Sequence, residues 1–499
     1  MKELKDLIQL ITRHKRKSLN VIGYDKTDDR YELFYNRLEK GMFDSDDDAA
    51  RFFFGDDKDG KFTQYKNFKN RFFRRLVNAV FHLDLKKAEF NDAQIGFYNC
   101  WKYLAVAKIL STFGAHGAAK KINKKVLSAA IKFELTAIVL ELSRQSLYHY
   151  TTREPNEKKR EYFKKLVNKS IREHSITIRA EVLYNDLIAP FVLSRSAKPW
   201  VGEEARRCLK ELEPYVGKIN SYRFHLCYFL IKSLEREIIY DYPGVVAVSR
   251  EALRHFEKKN STPKTTFAIF GNTLLVGLTM TKKYEEAEEV ARRSLNMVEK
   301  YSIAWYKINE LYMALKFHKK DYQQAYEVLR DAINNRRFKY LPPAERETWK
   351  IHEGYIHLLI AAGKIEQPEA DKKKFRPARF LNEIPHFSKD KRGMNIPVLL
   401  IHAVYLLYQK RYDDFYDRVL ALEKYNDRYL REGESTFRSW CIIQALHNIK
   451  KADFKKEEAQ EKSAELLRRM STQPVQFLLA PHEVEAIPYE HIWDMAMEA

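Results

Sequence analysis

Apolar residues recur every three or four positions along much of the chain, the spacing that places them on one face of an α-helix. One such stripe runs between positions 63 and 83 and consists of Tyr65, Phe68, Phe72, Leu76, Ala79 and Leu83. An earlier helix is expected to begin after Ser45, whose side chain can cap it, and to stop at Gly55. Since no strand pattern intervenes between positions 205 and 470, the sequence predicts an all-α chain.

A short turn pattern repeats in the second half of the chain: a polar residue, a tyrosine, two further residues and then a small one. The tyrosines of the four copies are Tyr242, Tyr284, Tyr322 and Tyr412, and the small position holds Val245, Ala287, Ala325 and the larger Phe415. The gap before the last copy has room for one more unit, with its turn at Ala362-Gly363-Lys364. Units about 40 residues long indicate stacked helical hairpins, because each hairpin buries its apolar face only against its neighbours.

These units resemble the tetratricopeptide repeat family. The first copy of the resemblance consists of Gly271, Leu274, Leu275, Leu278, Tyr284, Ala287, Ala291 and Ser294, and the second of Tyr312, Met313, Tyr322, Ala325, Leu329 and Ala332. The resemblance is clearest over residues 265–335 and weaker over 220–450. Leu275 and Met313 stand where the family has a small residue, so an unrelated helical repeat is the alternative.

The resemblance implies an α-solenoid of stacked antiparallel helix pairs, with a concave face lined by the first helix of each pair. By position it places eight residues of this chain on that face: Asn272, Val276, Thr279, Met280, Lys307, Glu310, Phe317 and His318. A scaffold or adaptor that binds a protein or an extended peptide in this groove is therefore the expected function.

Four parts of the chain are distinguished by their patterns. Residues 1–90 form a basic N-terminal helical module, and residues 91–200 form a helical region that we expect to pack on the solenoid. Tetratricopeptide-like repeats cover residues 205–470, and an acidic and apolar C-terminal segment covers 471–499.

The positive net charge suggests a second function. Lys and Arg number 89 against 68 Asp and Glu, a formal net charge of +21, and 45% of the residues are apolar, which is a globular composition. Basic clusters of the kind that bind phosphate backbones occur at 13–17, 66–75, 120–125, 158–169 and 372–379. The predicted phosphate contacts of the N-terminal module are Arg13, Lys15, Arg16, Lys17, Lys66, Lys69, Arg71, Arg74 and Arg75. A nucleic-acid- or ribosome-associated regulator is thus the alternative function, unless these lysines simply solvate long helices.

Motifs for catalysis or metal binding give no positive signal. His352 and His357 are five positions apart, which separates them by about 140° on a helix and prevents them from sharing a zinc ion. The Gly114–Lys121 stretch lacks the order of a phosphate-binding loop, and the 56–60 loop lacks the acids of a calcium site. We therefore expect a non-enzymatic chain with no cofactor, no metal and no small-molecule substrate.

The cellular location is expected to be the cytosol. The N-terminus lacks the apolar core of a signal peptide, no stretch of 18 apolar residues occurs, and the four cysteines are too far apart for a disulfide framework. The sequence accordingly predicts no membrane partner.

The C-terminal residues 481–499 contain five acidic residues and no Lys or Arg. They also carry Val484, Ile487, Tyr489, Ile492, Trp493 and Met495. An acidic and apolar peptide complements a basic, partly apolar solenoid, so we expect this segment to fold back as a terminal cap or as an occupant of the groove. A disordered tail and docking to another subunit are the alternatives.

Overall fold

The structure is a computed structural model. It describes residues 2–14, 30–43, 45–55, 61–83, 91–193, 198–259, 262–368, 380, 395–429, 437–475 and 485–499. The regular elements of these ranges are α-helices and two short 3₁₀ turns, which confirms the predicted all-α class. No helix within them is both long enough and apolar enough to cross a bilayer.

The chain divides into two compact units, residues 1–164 and 165–499. The first unit contains α1 (Lys2–His14), α2 (Arg30–Glu39), α3 (Asp46–Phe54), α4 (Lys61–Val80), α5 (Asp92–Thr112), α6 (His116–Lys132), α7 (Thr136–Thr152) and the start of α8 (Glu157–Leu193). Helices α1 to α4 enclose an aromatic core centred on Phe34, against which the predicted stripe on α4 is buried from Tyr65 to Ala79. Ser45 caps α3 and forms a capping box with Asp48, as its position in the sequence predicts.

The second unit is a stack of helical hairpins. Its helices after α8 are α9 (Lys198–Leu212), α10 (Tyr222–Ile238), α11 (Tyr242–Glu257), α12 (Lys264–Met280), α13 (Tyr284–Asn296), α14 (Ile303–His318), α15 (Tyr322–Ile333), α16 (Pro343–Ala361), α17 (Asn395–Tyr408), α18 (Tyr412–Tyr429), α19 (Phe437–Lys451), α20 (Lys456–Ser471) and α21 (Tyr489–Glu498). Consecutive helices pack against one another from α9 to α20, which is the architecture of an α-solenoid. Phe380 is buried, and its ring lies against Gly354 of α16.

The repeated turn has one backbone conformation. The residue two positions before the tyrosine has a positive φ in each copy, as in Lys282 (58°), Lys320 (61°) and Lys410 (55°), and Gly363 (67°) takes that position in the hairpin that begins with α16. The next amide bonds back to the carbonyl of the preceding helix, for example Asp321 N to Lys316 O at 2.9 Å. This left-handed residue ends the first helix and satisfies its last carbonyls.

The small residue three positions after the tyrosine lies in the contact between helices. Val245, Ala287, Ala325 and Phe415 all have fully buried side chains, and each tyrosine is the first residue of its helix. The predicted repeat therefore matches a structural repeat, and the larger Phe415 is accommodated at the same place.

Candidate functional site

The C-terminal segment, which we define as the described residues 485–499, lies against the repeats of the second unit. Its apolar side chains are buried in the same core as those repeats: Ala486, Ile487, Tyr489, Ile492, Trp493, Met495 and Ala496. Helix α21 contacts α17, α19 and α20. The prediction that this segment folds back onto its own chain is thus confirmed for these residues.

Arg438, at the start of α19, holds the beginning of the segment. Its guanidinium donates to Glu485 from Nε (3.0 Å) and Nη2 (2.5 Å), and to Glu490 from Nη1 (3.0 Å) and Nη2 (2.7 Å). The remaining N–H reaches the Met470 carbonyl at 2.8 Å. All five donors of a side chain that is only 1% exposed are therefore satisfied.

The buried ion cluster shifts the pKa values of its members. Burial raises the pKa of Glu485, and the charge and hydrogen bonds of Arg438 offset only part of that shift. At Glu490 burial also opposes ionisation, but the hydrogen bond and charge of Arg438 prevail and lower its pKa. The two carboxylates outweigh burial at Arg438 and raise its pKa, so its guanidinium stays charged.

The segment also contacts hairpins further back in the stack. Lys320, in the turn after α14, lies 3.6 Å from Asp494, and Lys364, after α16, lies 2.9 Å from Glu498. The Tyr408 hydroxyl of α17 donates to the Met495 carbonyl at 2.9 Å. Each acidic side chain among Glu485, Glu490, Asp494 and Glu498 therefore faces a cation of the repeats.

Two histidines lie within this interface. His318, at the end of α14, hydrogen-bonds with the backbone of Glu485, and burial lowers its pKa to about 3. His491 of the segment lies with Nδ1 3.4 Å from the Tyr322 hydroxyl, and burial lowers its pKa to about 4. Both rings are uncharged when the segment is seated.

The contacts of the segment extend beyond the last hairpin. Helix α21 packs on α19 and α20 of that hairpin, as a terminal cap does, and the segment also reaches back to the turn after α14. We call the residues that seat it the tail surface: His318, Lys320, Tyr322, Lys364, Tyr408 and Arg438.

The eight groove residues predicted from the repeat resemblance lie on α12 and α14. The side chains of Val276, Thr279, Glu310, Phe317 and His318 are buried, while Asn272, Met280 and Lys307 are half-buried. Lys307 pairs with Glu310 at 2.8 Å, and His318 belongs to the tail surface. Phe317 is a core residue with no exposed surface, so it offers nothing to a partner in this conformation.

Five of the predicted phosphate contacts, Lys66, Lys69, Arg71, Arg74 and Arg75, lie on α4 of the first unit. Lys69 pairs with Asp46 at 2.8 Å, and Arg75 stacks over the Tyr31 ring at 4.2 Å. Lys66, Arg71 and Arg74 are exposed on α4. Arg13 is on the last turn of α1, whereas Lys15, Arg16 and Lys17, predicted to contact phosphate, lie outside the described residues.

Sequence reasoning missed most of the tail surface. Arg438 carried a usable signal, because an arginine within the otherwise apolar start of α19 needs a partner once it is buried. Lys320 and Lys364 are ordinary turn residues, and only a known fold shows that they face the acidic segment.

The described residues contain no group of three His, Cys, Asp or Glu side chains placed to hold a metal ion. Comparisons with protein-family models, with curated proteins and with solved structures found no match to this chain.

Proposed function

We propose that this chain is a scaffold that binds an acidic, apolar helical segment of a partner protein at the tail surface. The observation that carries the proposal is the seated C-terminal segment, which matches four carboxylates to cations and buries its apolar face across several hairpins. A surface that seats such a helix within its own chain has the shape and charge to seat a similar helix from another protein.

The proposal implies competition. The partner segment and residues 485–499 need the same cations, so a partner binds only when the C-terminal segment leaves. A segment linked to its own site has a high effective concentration and lowers the apparent affinity of every competitor. The tetratricopeptide-like nature of the repeats and the cytosolic location, both expected from the sequence, belong to the same proposal.

A cleavable chain tests this function. A protease site is placed between positions 476 and 484, and binding of a labelled peptide with the sequence of residues 485–499 is followed by fluorescence anisotropy before and after cleavage. We expect little binding to the intact chain and saturable binding after cleavage. The control peptide carries Glu485→Lys and Glu490→Lys, and it should bind at least tenfold more weakly because both charges then oppose Arg438.

Two results would count against the proposal. If cleavage and loss of the segment unfold the repeats, as judged by circular dichroism, the segment is an integral part of the fold. If the charge-reversed peptide binds as well as the native one, the surface lacks the specificity that a scaffold needs.

A further inference from the structure

The first unit contains a cavity of about 1030 Å³ among α5, α6, α7 and the start of α8. Every one of these helices, and the turn after α7, contributes cationic side chains to its lining: Lys108, Lys120, Lys124, Arg144, Arg153 and Lys159. Two of the basic clusters in the sequence, 120–125 and 158–169, therefore meet at one cavity although a whole helix separates them in the chain.

The carboxylates near the cavity neutralise only some of these cations. Glu141 pairs with Lys108 at 2.8 Å and with Arg144 at 2.9 Å, and Glu154 pairs with Lys120 and, at 3.1 Å, with His149. Lys124 and Arg153 have no ion-pair partner among the described residues, and Lys159, which lies over the Tyr150 ring, acts on Glu154 only beyond ion-pair distance. The lining thus keeps an excess of positive charge.

The start of α6 adds to this field. Its N-cap residue is Ala115, which provides no side-chain cap, and its first turn contains no acidic residue. His116, the first residue of α6, lines the cavity. The positive end of the helix dipole therefore favours an anion at the same place as the free cations.

A chain of hydrogen bonds fixes the orientation of the Asn123 side-chain amide in the lining. The Glu141 carboxylate can only accept, so the Gln145 Nε2 group donates to it at 2.8 Å, and Gln145 Oε1 then accepts from Asn123 Nδ2 at 3.3 Å. The amide oxygen of Asn123 is left buried and has no hydrogen-bond partner among the described residues. Because this oxygen has almost no exposed surface, the Asn123 amide is a fixed part of the cavity wall and not a contact for a ligand.

Aromatic rings complete the lining. Tyr148 and Tyr162 are 63% and 56% exposed. Tyr150 stacks on Phe163 with centroids 5.6 Å apart, and the Lys159 ammonium lies 4.6 Å from the Tyr150 centroid. Exposed tyrosines beside cations are the combination on which bases of nucleotides stack.

We propose that this cavity binds a nucleoside phosphate, either free or within a single-stranded nucleic acid. The phosphate lies near Lys124, Arg153 and Lys159, and the base packs on an exposed tyrosine. This site is in the first unit and is independent of the tail surface.

The test measures binding to the full-length protein by isothermal titration at low salt. The probes are ATP, inorganic tripolyphosphate and a short single-stranded RNA. We expect saturable ATP binding. Lys124→Ala should weaken the binding of both ATP and tripolyphosphate about fivefold, since each ligand loses one charge-assisted contact. Tyr148→Ala combined with Tyr162→Ala should weaken ATP binding by a similar factor and leave tripolyphosphate binding unchanged, because only the base packs on these rings.

Lys121→Ala is the matched control, since it removes the same charge from the same helix outside the lining. RNA binding tighter than ATP binding identifies a strand as the ligand, and the reverse order identifies a free nucleotide. The proposal is overturned if neither ATP nor the RNA binds, if Lys121→Ala weakens binding as much as Lys124→Ala, or if the double tyrosine variant weakens ATP and tripolyphosphate binding alike. Circular dichroism melts establish that each variant is folded.

Discussion

Arg438 and Glu485 form a two-point ion pair, at 2.5 and 3.0 Å, in which both side chains are almost completely buried. A buried charge without a partner is costly, so the energetic role of this pair appears when one member is removed. The pair joins the start of α19 to the first residue of the C-terminal segment.

Arg438→Met should therefore destabilise the second unit by about 3–5 kcal/mol, because Glu485 and Glu490 lose their counter-charge. Chemical denaturation followed by circular dichroism measures the change. Adding Glu485→Gln to this variant should recover part of the loss, since one of the uncompensated carboxylates is removed. The control is Arg411→Met, which breaks an exposed pair with Asp414 and should cost less than about 1 kcal/mol.

Acidification should destabilise the second unit. His318 and His491 have pKa values of about 3 and 4 in the folded chain, so from pH 6.5 downwards the unfolded chain takes up protons that the folded chain does not. Stability is then complete above pH 6.5 and falls as the pH drops towards 4, by up to ~1.4 kcal/mol per pH unit for each proton. Glu490 acts in the same direction at lower pH, and Glu485, whose pKa is raised, acts in the opposite one.

The measurement for this prediction is the denaturation midpoint between pH 7.5 and 4.5. The variant His318→Gln with His491→Gln should show a flatter profile than the native chain over that range. Parallel profiles would contradict the assignment of the effect to these two rings.

Overpacking should destabilise the hairpin contacts. Ala287 and Ala325 have no exposed surface, so Ala287→Leu or Ala325→Leu forces neighbouring helices apart and should cost about 1–3 kcal/mol. Glu286→Gln removes only an exposed pair with Arg250 and should be nearly neutral. Equal melting temperatures for all three variants would show that the helix contact lies elsewhere.

The conformation of the repeated turn predicts a substitution that stabilises the protein. Lys410 has a φ of 55°, a conformation that glycine adopts without strain, so Lys410→Gly should stabilise the second unit by up to about 1 kcal/mol. Gly363→Ala, at a φ of 67°, should destabilise it by a similar amount. The two melting temperatures should thus move in opposite directions, and a shift of both the same way would contradict the conformational explanation.

Local patterns in the sequence were sufficient to predict the helices, the repeated turn and the buried small residues, because these features depend on residues a few positions apart. The net charge and apolar content of the C-terminal segment were also enough to predict that it folds back. The tail surface could not be predicted, since Lys320 and Lys364 contact the segment only after several hairpins have stacked. Burial of Phe317 likewise depends on packing of α16 against α14, which the resemblance alone does not specify.

The hydrogen bonds that join Glu141, Gln145 and Asn123 also depend on helix packing that the sequence does not reveal. Gln145 is four positions from Glu141, which the helical period makes visible, but its contact with Asn123 requires the pairing of α6 and α7. The basic clusters were evident in the sequence, whereas their convergence on one cavity was not.

The C-terminal segment changes how the repeats depend on one another. In a linear repeat array each hairpin interacts only with its neighbours, so the ends can fray while the middle stays folded. Contacts from residues 485–499 to Lys320, Lys364, Tyr408 and Arg438 couple hairpins that are not adjacent. Partial unfolding of any one of them then loosens the others, so the array should melt as a single cooperative block. Its high contact order should also make it fold more slowly than an open array of the same length.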